Sequence, residues 1–277
     1  MSVYEIVTER IIKALESGTV PWKKPWVGGT PTNLVSRKPY RGINRYLLSG
    51  RNSQYWVSYK QMVALGGTLK EDDKKASMAV FWKWLDPKDA KPGEEDRKIP
   101  LLRYYNVFNL DQIDGIEAPA TEKLEFTPVE RAEQVIAAYP NPPKIKTKGD
   151  QACYIPKLDE IDMPKKEDFT SVPGYYSTLF HEMTHSTGHE KRLDRGMDAT
   201  AFASESYSKE ELVAEIGASF LMAETGIEAD FSKSNSEAYI KGWLDRLNGD
   251  KKFVVFAAAA AQRAVDHILD RKVVAQE

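Results

Sequence analysis

Leu179-Phe-His-Glu-Met-Thr-His-Ser-Thr-Gly-His189 contains three of the four histidines in 277 residues, and His181-Glu-Met-Thr-His185 is its centre. On an α-helix, residues i and i+4 lie on one face, so both imidazoles can reach one metal ion. Zn²⁺ suits imidazole nitrogen and an open coordination position. Glu182 stands beside the metal rather than on it, where it can serve as general base toward a water that the metal activates. Around this stretch, Tyr176, Leu179, Phe180 and Met183 recur as an apolar stripe at i, i+3, i+4 and i+7, which predicts a helix with that face in a core. Pro173 can open the helix, and Gly188 is expected to close it through a left-handed cap.

A catalytic zinc takes three protein ligands. The third-histidine pattern H-E-x-x-H-x-x-G-x-x-H fails here, because Lys191 holds the last position. A second helix is therefore expected to supply a glutamate. Ser208-Lys-Glu-Glu-Leu-Val-Ala-Glu-Ile-Gly-Ala-Ser-Phe-Leu221 has a buried stripe of Leu212, Ile216 and Phe220, with Glu211 and Glu215 one turn apart on a single face. One carboxylate can bind the metal while the other orients a ligand histidine. Glu211 is expected as the ligand and Glu215 behind it, the reverse being the rival assignment. Ser208-x-x-Glu211 also fits a capping box.

Hydrophobic content of 42% and charge of 29% match a soluble globular chain and exclude a disordered one. The longest apolar run, Phe253 to Ala261, is far too short to span a bilayer. Glu5 and Glu9 lie inside an amphipathic N-terminal pattern, unlike a secretory signal. A single cysteine, Cys153, excludes an intrachain disulfide. A cytoplasmic protein without membrane contact is expected. The net charge of −2 conceals an asymmetry. Residues 1–113 carry 19 Lys and Arg against 12 Asp and Glu, and the remainder carries 20 against 29. The basic half is suited to a polyanion.

In chain order, residues 3–17 read as a helix stopped by Gly18, and Val20-Pro-Trp-Lys-Lys-Pro-Trp26 as an extended loop held open by its prolines. A short helix is expected near 58–65, strands at Met78–Leu85 and Arg103–Asn109, and a charged loop between them. Residues 114–127 read as a linker, and Pro128 opens a helix that stops before Pro140. Short strands are predicted at 152–155 and 160–163, and two further helices at 236–247 and 250–269.

Basic residues interleaved with aromatics suit single-stranded nucleic acid, since cations follow phosphates while bases stack on ring faces. Trp22 and Trp26, with Lys23 and Lys24 between them, are the stacking candidates on the proline loop. Arg37, Lys38, Tyr40, Arg41 and Arg45 continue the pattern.

These residues together resemble the ArdC-type antirestriction proteins of conjugative plasmids and related mobile elements, over nearly the whole chain. The likeness rests on Pro21-Trp-Lys-Lys-Pro-Trp26, Asn106-Val-Phe-Asn-Leu-Asp-Gln-Ile113, His181 to His189 and Glu211-Leu-Val-Ala-Glu-Ile-Gly217. The resemblance implies an N-terminal single-stranded-DNA-binding domain and a C-terminal zincin-like metallopeptidase domain. It also implies a role in protecting incoming single-stranded plasmid or phage DNA from host restriction. H-E-x-x-H followed by E-x-x-x-[D/E]-I further resembles the gluzincins. That implies His181, His185 and Glu211 as ligands, Glu182 as general base and Glu215 as the orienting acid. No transition-state stabiliser carries over; His189, Tyr176 and Tyr207 are the candidates nearest in sequence.

The expectation is an α+β protein in two domains. Residues 1–118 form a small α/β domain for single-stranded DNA, and 119–277 a mostly helical gluzincin-type domain. The latter would hold zinc, or alternatively Mn²⁺ or another divalent metal, and act on an unidentified protein, a host restriction component being one candidate. Two other readings use the same residues. One is a non-catalytic DNA-coating protein with a structural or vestigial metal site, acting by occlusion. The other is a general metalloprotease whose basic half recruits acidic proteins.

Overall fold

The computed structural model describes residues 1–23, 29–85, 99–119, 126–196, 205–228 and 237–272, without the side chains at 84, 85, 99 and 205–207. The chain is α+β and divides into two compact units. The first comprises Met1–Ile11 and Val27–Ala120, the second Ile12–Trp26 and Thr121–Glu277. Helix α1 (Val3–Glu16) starts in one and ends in the other. The N-terminal domain was expected to be continuous; instead residues 12–26 count with the second unit.

The first unit is built on a four-stranded sheet ordered β1 (Thr32–Asn33), β2 (Tyr55–Ser58), β5 (Ile99–Asn109), β4 (Ser77–Leu85). β1 and β2 are parallel, and the other pairs are antiparallel. The middle of the sheet is buried on both faces. Val57 and Phe108 pack with Leu34, Met62, Leu110 and Ile113. Trp56, Ala79 and Val107 pack with Tyr40 and Leu48 on the other side. Short helices α2 (Asn44–Leu47) and α3 (Tyr59–Ala64) flank it, and β3 (Thr68–Leu69) pairs with β6 (Ile113–Asp114). α3 starts where expected because Ser58 and Gln61 form a reciprocal capping box. β4 is an edge strand, and the Asn44 side chain covers it at Val80. Its Nδ2 donates to the Val80 carbonyl and its Oδ1 accepts from the Val80 amide, both at 2.7 Å.

The second unit has a three-stranded sheet ordered β7 (Lys144–Thr147), β9 (Glu160–Met163), β8 (Cys153–Ile155), with β7 parallel and β8 antiparallel to β9. Helices α4 (Pro128–Ala138), α5 (Val172–Ser186), α6 (Glu205–Thr225), α7 (Glu237–Gly249) and α8 (Phe253–Ile268) complete it. The predicted stripes are buried: Tyr176, Leu179, Phe180 and Met183 on α5, and Leu212, Ile216 and Phe220 on α6. Ala258, Ala261, Ala264 and Val265 of α8 pack into the same core. α5 and α6 are in tight contact at Gly217, where a Cβ would lie 2.4 Å from Thr184 Cγ2. No helix among the described residues is long and apolar enough to cross a membrane.

Two sequence expectations change. The proline loop is a 3₁₀ turn at Pro21–Lys23, and Trp22 is 1% exposed. Gly188 does not adopt a positive φ. α5 ends instead through tightened backbone bonds, Gly188 N to His185 O and His189 N to Ser186 O. Its last carbonyls are taken by guanidinium groups: Arg192 Nε donates to Ser186 O at 2.6 Å and Arg195 to Thr184 O at 3.0 Å. Residues 86–98 of the loop expected at 86–100 lie outside the described residues, as do residues 120–125 of the linker.

Candidate metal centre

α5 is capped by Ser171, whose hydroxyl accepts from the Gly174 amide, with Pro173 in the first turn. Its apolar stripe faces the core and leaves His181 and His185 on the neighbouring face, toward α6. Three ligand atoms converge there. The His181 and His185 Nε2 atoms are 3.0 Å apart, and Glu211 places its carboxylate oxygens 3.6 Å from His181 Nε2 and 3.4 Å from His185 Nε2. Tetrahedral zinc with bonds of about 2.0–2.1 Å requires ligand atoms about 3.3 Å apart. The observed separations bracket that value, and two imidazoles with one carboxylate are the donor set zinc accepts. Among the described residues it is the one group of three such side chains able to hold a metal.

The electrostatics also favour a cation. Burial disfavours the His185 imidazolium, but Glu210 and Glu211 outweigh it and raise the His185 pKa to about 9. Burial likewise works against the Glu211 carboxylate, and the two histidines hold it well below the usual carboxylate range.

Glu182 is buried beside the triangle, and its Oε2 accepts the Tyr154 backbone N–H at 2.7 Å. Tyr154 lies on β8, the edge strand that packs along α5. The strand next to the metal helix, open in the sequence reading, is thus β8.

Behind His185 stands Glu210, not Glu215. The buried His185 Nδ1 lies 3.4 Å from Glu210 Oε1, a loose contact, and has no closer partner. Arg195 fixes Glu210 from the other side, Nε to Oε2 at 3.0 Å and Nη2 to Oε1 at 2.5 Å. Burial pushes the Glu210 pKa up, but His185 and Arg195 bring it below the usual carboxylate range. Sequence reasoning missed this residue, although the pair Glu210-Glu211 carried the signal. The neighbour of a helical ligand sits about 100° round the helix, where it can reach behind a histidine.

Glu215 has other partners. Its Oε2 accepts from Trp22 Nε1 at 2.7 Å and from the Tyr239 hydroxyl. The Trp22 ring meets Trp243 edge-on at 5.8 Å, and Lys23 Nζ sits 3.9 Å over the Tyr239 ring. Trp22 is therefore a buried anchor with no face left for a base. Burial similarly removes Tyr40 and Arg45, at 8% and 1% exposure. The Arg45 guanidinium turns inward, one Nη donating to Thr30 Oγ1 at 3.2 Å. Arg37 and Lys38 are exposed, and the Arg37 guanidinium stands 5.4 Å over Tyr55. Arg41 is half-buried. Lys24 and Trp26 lie outside the described residues.

Tyr176, a candidate stabiliser in the sequence reading, is buried in the core stripe. Its hydroxyl donates to Glu133 and accepts from Lys166 Nζ at 2.9 Å. His189 lies past the end of α5, its Nδ1 accepting from the Lys191 amide at 3.2 Å. The Tyr207 side chain lies outside the described residues.

Comparison with known proteins finds a match for each half of the chain. Residues 130–261 match the zincin-like metallopeptidase family, and residues 1–108 match the N-terminal domain of anti-restriction factor ArdC. Two DNA primase TraC proteins of Escherichia coli are 35% identical over 96% of this chain, but the chain spans only 20% and 27% of their length. Protein y4eC of Sinorhizobium fredii (strain NBRC 101917 / NGR234) is 33% identical, over 95% of this chain and 90% of its own. Crystal structures of the antirestriction protein ArdC from plasmid R388 match over 98% of both chains. The metal-free form has a TM-score of 0.76 at 38% identity, and the Mn(II)-bound form 0.79 at 37%. With both halves matched and relatives of similar length more than 30% identical, this chain belongs to the ArdC antirestriction family.

Proposed function

We propose that this chain protects single-stranded DNA by binding it with its basic N-terminal unit and hydrolysing a peptide bond in a protein at a zinc centre. The observation that carries the peptidase reading is the ligand triangle of His181, His185 and Glu211 with Glu182 locked beside it. When bound, a divalent cation supplies Lewis-acid polarisation of a carbonyl and makes water nucleophilic near neutral pH. Zinc is the proposed ion, and the Mn(II) form of the R388 relative makes Mn²⁺ the alternative.

The chain's own residues do the rest. Tyr154 N–H pins one oxygen of Glu182, which leaves Oε1 to take the proton of the attacking water. Glu182 then delivers that proton to the leaving nitrogen as the C–N bond breaks and the new C–O bond stands. β8 has an open side, and in an antiparallel strand the N–H and C=O of one residue point the same way. The Tyr154 carbonyl therefore faces that open side too, where an extended peptide can add as a further strand. We propose a cytoplasmic location, which the single cysteine supports.

The test uses metal-loaded full-length protein and Glu182→Gln on a peptide library read by mass spectrometry, with bound metal measured in both. Cleavage by the wild type alone, at equal metal content, supports the assignment. No cleavage by the metal-loaded wild type, or equal cleavage by Glu182→Gln, overturns it. In a restriction-protection assay, survival of protection in Glu182→Gln marks occlusion as the mechanism.

A further inference from the structure

Trp22, Tyr40 and Arg45 are buried, and among the described residues the β4–β5 pair supplies an exposed stacking surface. Ala79 pairs with Tyr105, Phe81 with Arg103, and Lys83 with Leu101. Directly opposed residues in an antiparallel pair share a face, so Phe81, Lys83, Arg103 and Tyr105 lie together. At one end this face is core, with Ala79 and Val107 covered by Tyr40, Leu48 and Trp56. Beyond that cover it opens. Phe81 is 42% exposed and Tyr105 39%, with their rings 5.7 Å apart and inclined at 62°. Lys83 and Arg103 are exposed beside them. On the reverse face Val80 and Leu102 are buried and Trp82 packs on Tyr4, so Tyr104, 50% exposed, stands there without a second exposed ring directly opposite it.

Two large aromatics left in water on a sheet face, side by side, mark a binding surface rather than a core. Cations directly opposite and two residues along from Phe81 fix the class of occupant. Ring faces take unstacked bases, while Lys and Arg take the phosphates between them. A duplex keeps its bases stacked inside and offers nothing to the rings.

We propose that single-stranded DNA lies across this strip, with bases stacked on Phe81 and Tyr105 and phosphates held by Lys83 and Arg103. The proposal rests on the reading that the basic unit binds single-stranded DNA. It assigns that binding to strand residues rather than to the Arg37–Lys38 turn.

The test is fluorescence anisotropy of full-length protein with a labelled oligothymidine, across a salt series. Phe81→Ala and Tyr105→Ala are each expected to weaken binding roughly tenfold, since one stacked base contributes on that order. Phe81→Trp should retain affinity. Lys83→Ala and Arg103→Ala should each reduce the slope of log affinity against log salt by about 0.7, and Arg37→Ala/Lys38→Ala should change affinity less than any of the four. Unchanged manganese binding by each variant shows that the second unit is intact, and an unchanged thermal transition shows that the first is. If wild-type protein binds the single strand and Phe81→Ala and Tyr105→Ala bind equally well, the strip is not the site. Equal affinity of the wild type for duplex overturns the stacking argument. If the wild type binds no single strand, the DNA reading itself fails and takes the strip with it.

Discussion

Gly217 of α6 touches Thr184 of α5 with no room for a methyl group. An added Cβ would lie 2.4 Å from Thr184 Cγ2, 2.7 Å from Oγ1 and 3.1 Å from Cβ. Thr184 precedes the proposed ligand His185, and Gly217 lies six residues after the proposed ligand Glu211. This contact therefore sets how far Glu211 stands from the two imidazoles. Gly217→Ala is expected to destabilise the protein by about 1–3 kcal/mol, the usual cost of overpacking, and to weaken metal binding. Adding Thr184→Ala removes the two nearest atoms and should restore much of both. Thermal melts and metal titrations on the four corners of this cycle measure the coupling; simple additivity would show that the contact does not position the ligands.

Glu210 and Glu215 should separate cleanly by mutation. Glu210→Gln loses the charge behind His185, and metal affinity is expected to fall about 10- to 100-fold. Glu215→Gln disturbs the Trp22 and Tyr239 anchor instead, so its main effect should be on melting temperature. Isothermal titration with Mn²⁺ and Zn²⁺, alongside melts of each variant, distinguishes the two roles. A larger loss of metal affinity for Glu215→Gln would restore the assignment made from sequence.

Asp159 and Arg192 form an ion pair at the foot of the site, where Asp159 also accepts from the Tyr154 hydroxyl at 2.9 Å. Burial pushes the Asp159 pKa up, but Arg192 and Tyr154 bring it below its ordinary value. A carboxylate lowered in the folded state stabilises above its unfolded pKa, about 3.9, and that contribution fades as pH falls through the native value. Asp159→Asn keeps a residue that tolerates the left-handed backbone found here, φ 51°. Its melting temperature should lie below wild type at pH 6, and the gap should close as the pH drops under about 4. A gap that stays constant with pH would rule out the linkage.

Metal should stabilise the fold as well as enable it to act. A ligand that binds only the native state raises stability by RT ln(1 + [L]/Kd), about 2.7 kcal/mol at one hundred times Kd. Zn²⁺ or Mn²⁺ is expected to raise the melting temperature of the wild type and not that of His181→Ala/His185→Ala. Chelator should reverse the rise.

The second unit was largely legible because its signals are local. The α5 stripe, Pro173 and the i, i+4 histidines all act within a few turns of one helix. β7 was missed because all four residues of Lys144-Ile-Lys-Thr147 are exposed, so no apolar alternation marks them. Trp22 was misread because its partners lie 193 and 217 residues away at Glu215 and Tyr239; its prolines describe the backbone and say nothing of what covers the ring. Arg45 carries a charge that favours the surface, and only the fold shows it turned inward. Phe81 and Tyr105 were read as strand residues, but strand alternation gives the face and not whether that face is covered.

The Asn44 amide presents to Val80 one donor and one acceptor, as a neighbouring strand would. β4 is thereby refused to passing chains, since a bare edge strand invites pairing with any extended segment. Lysines 144 and 146 discourage the same at β7. At β8 a side chain likewise answers a backbone donor, the Glu182 carboxylate accepting the Tyr154 N–H. Side chains thus stand in for a neighbouring strand at one residue of each of the β4 and β8 edges, which works against polymerisation through the sheets. Asn44→Ala should therefore show itself first as concentration-dependent self-association in sedimentation velocity, with metal binding unchanged.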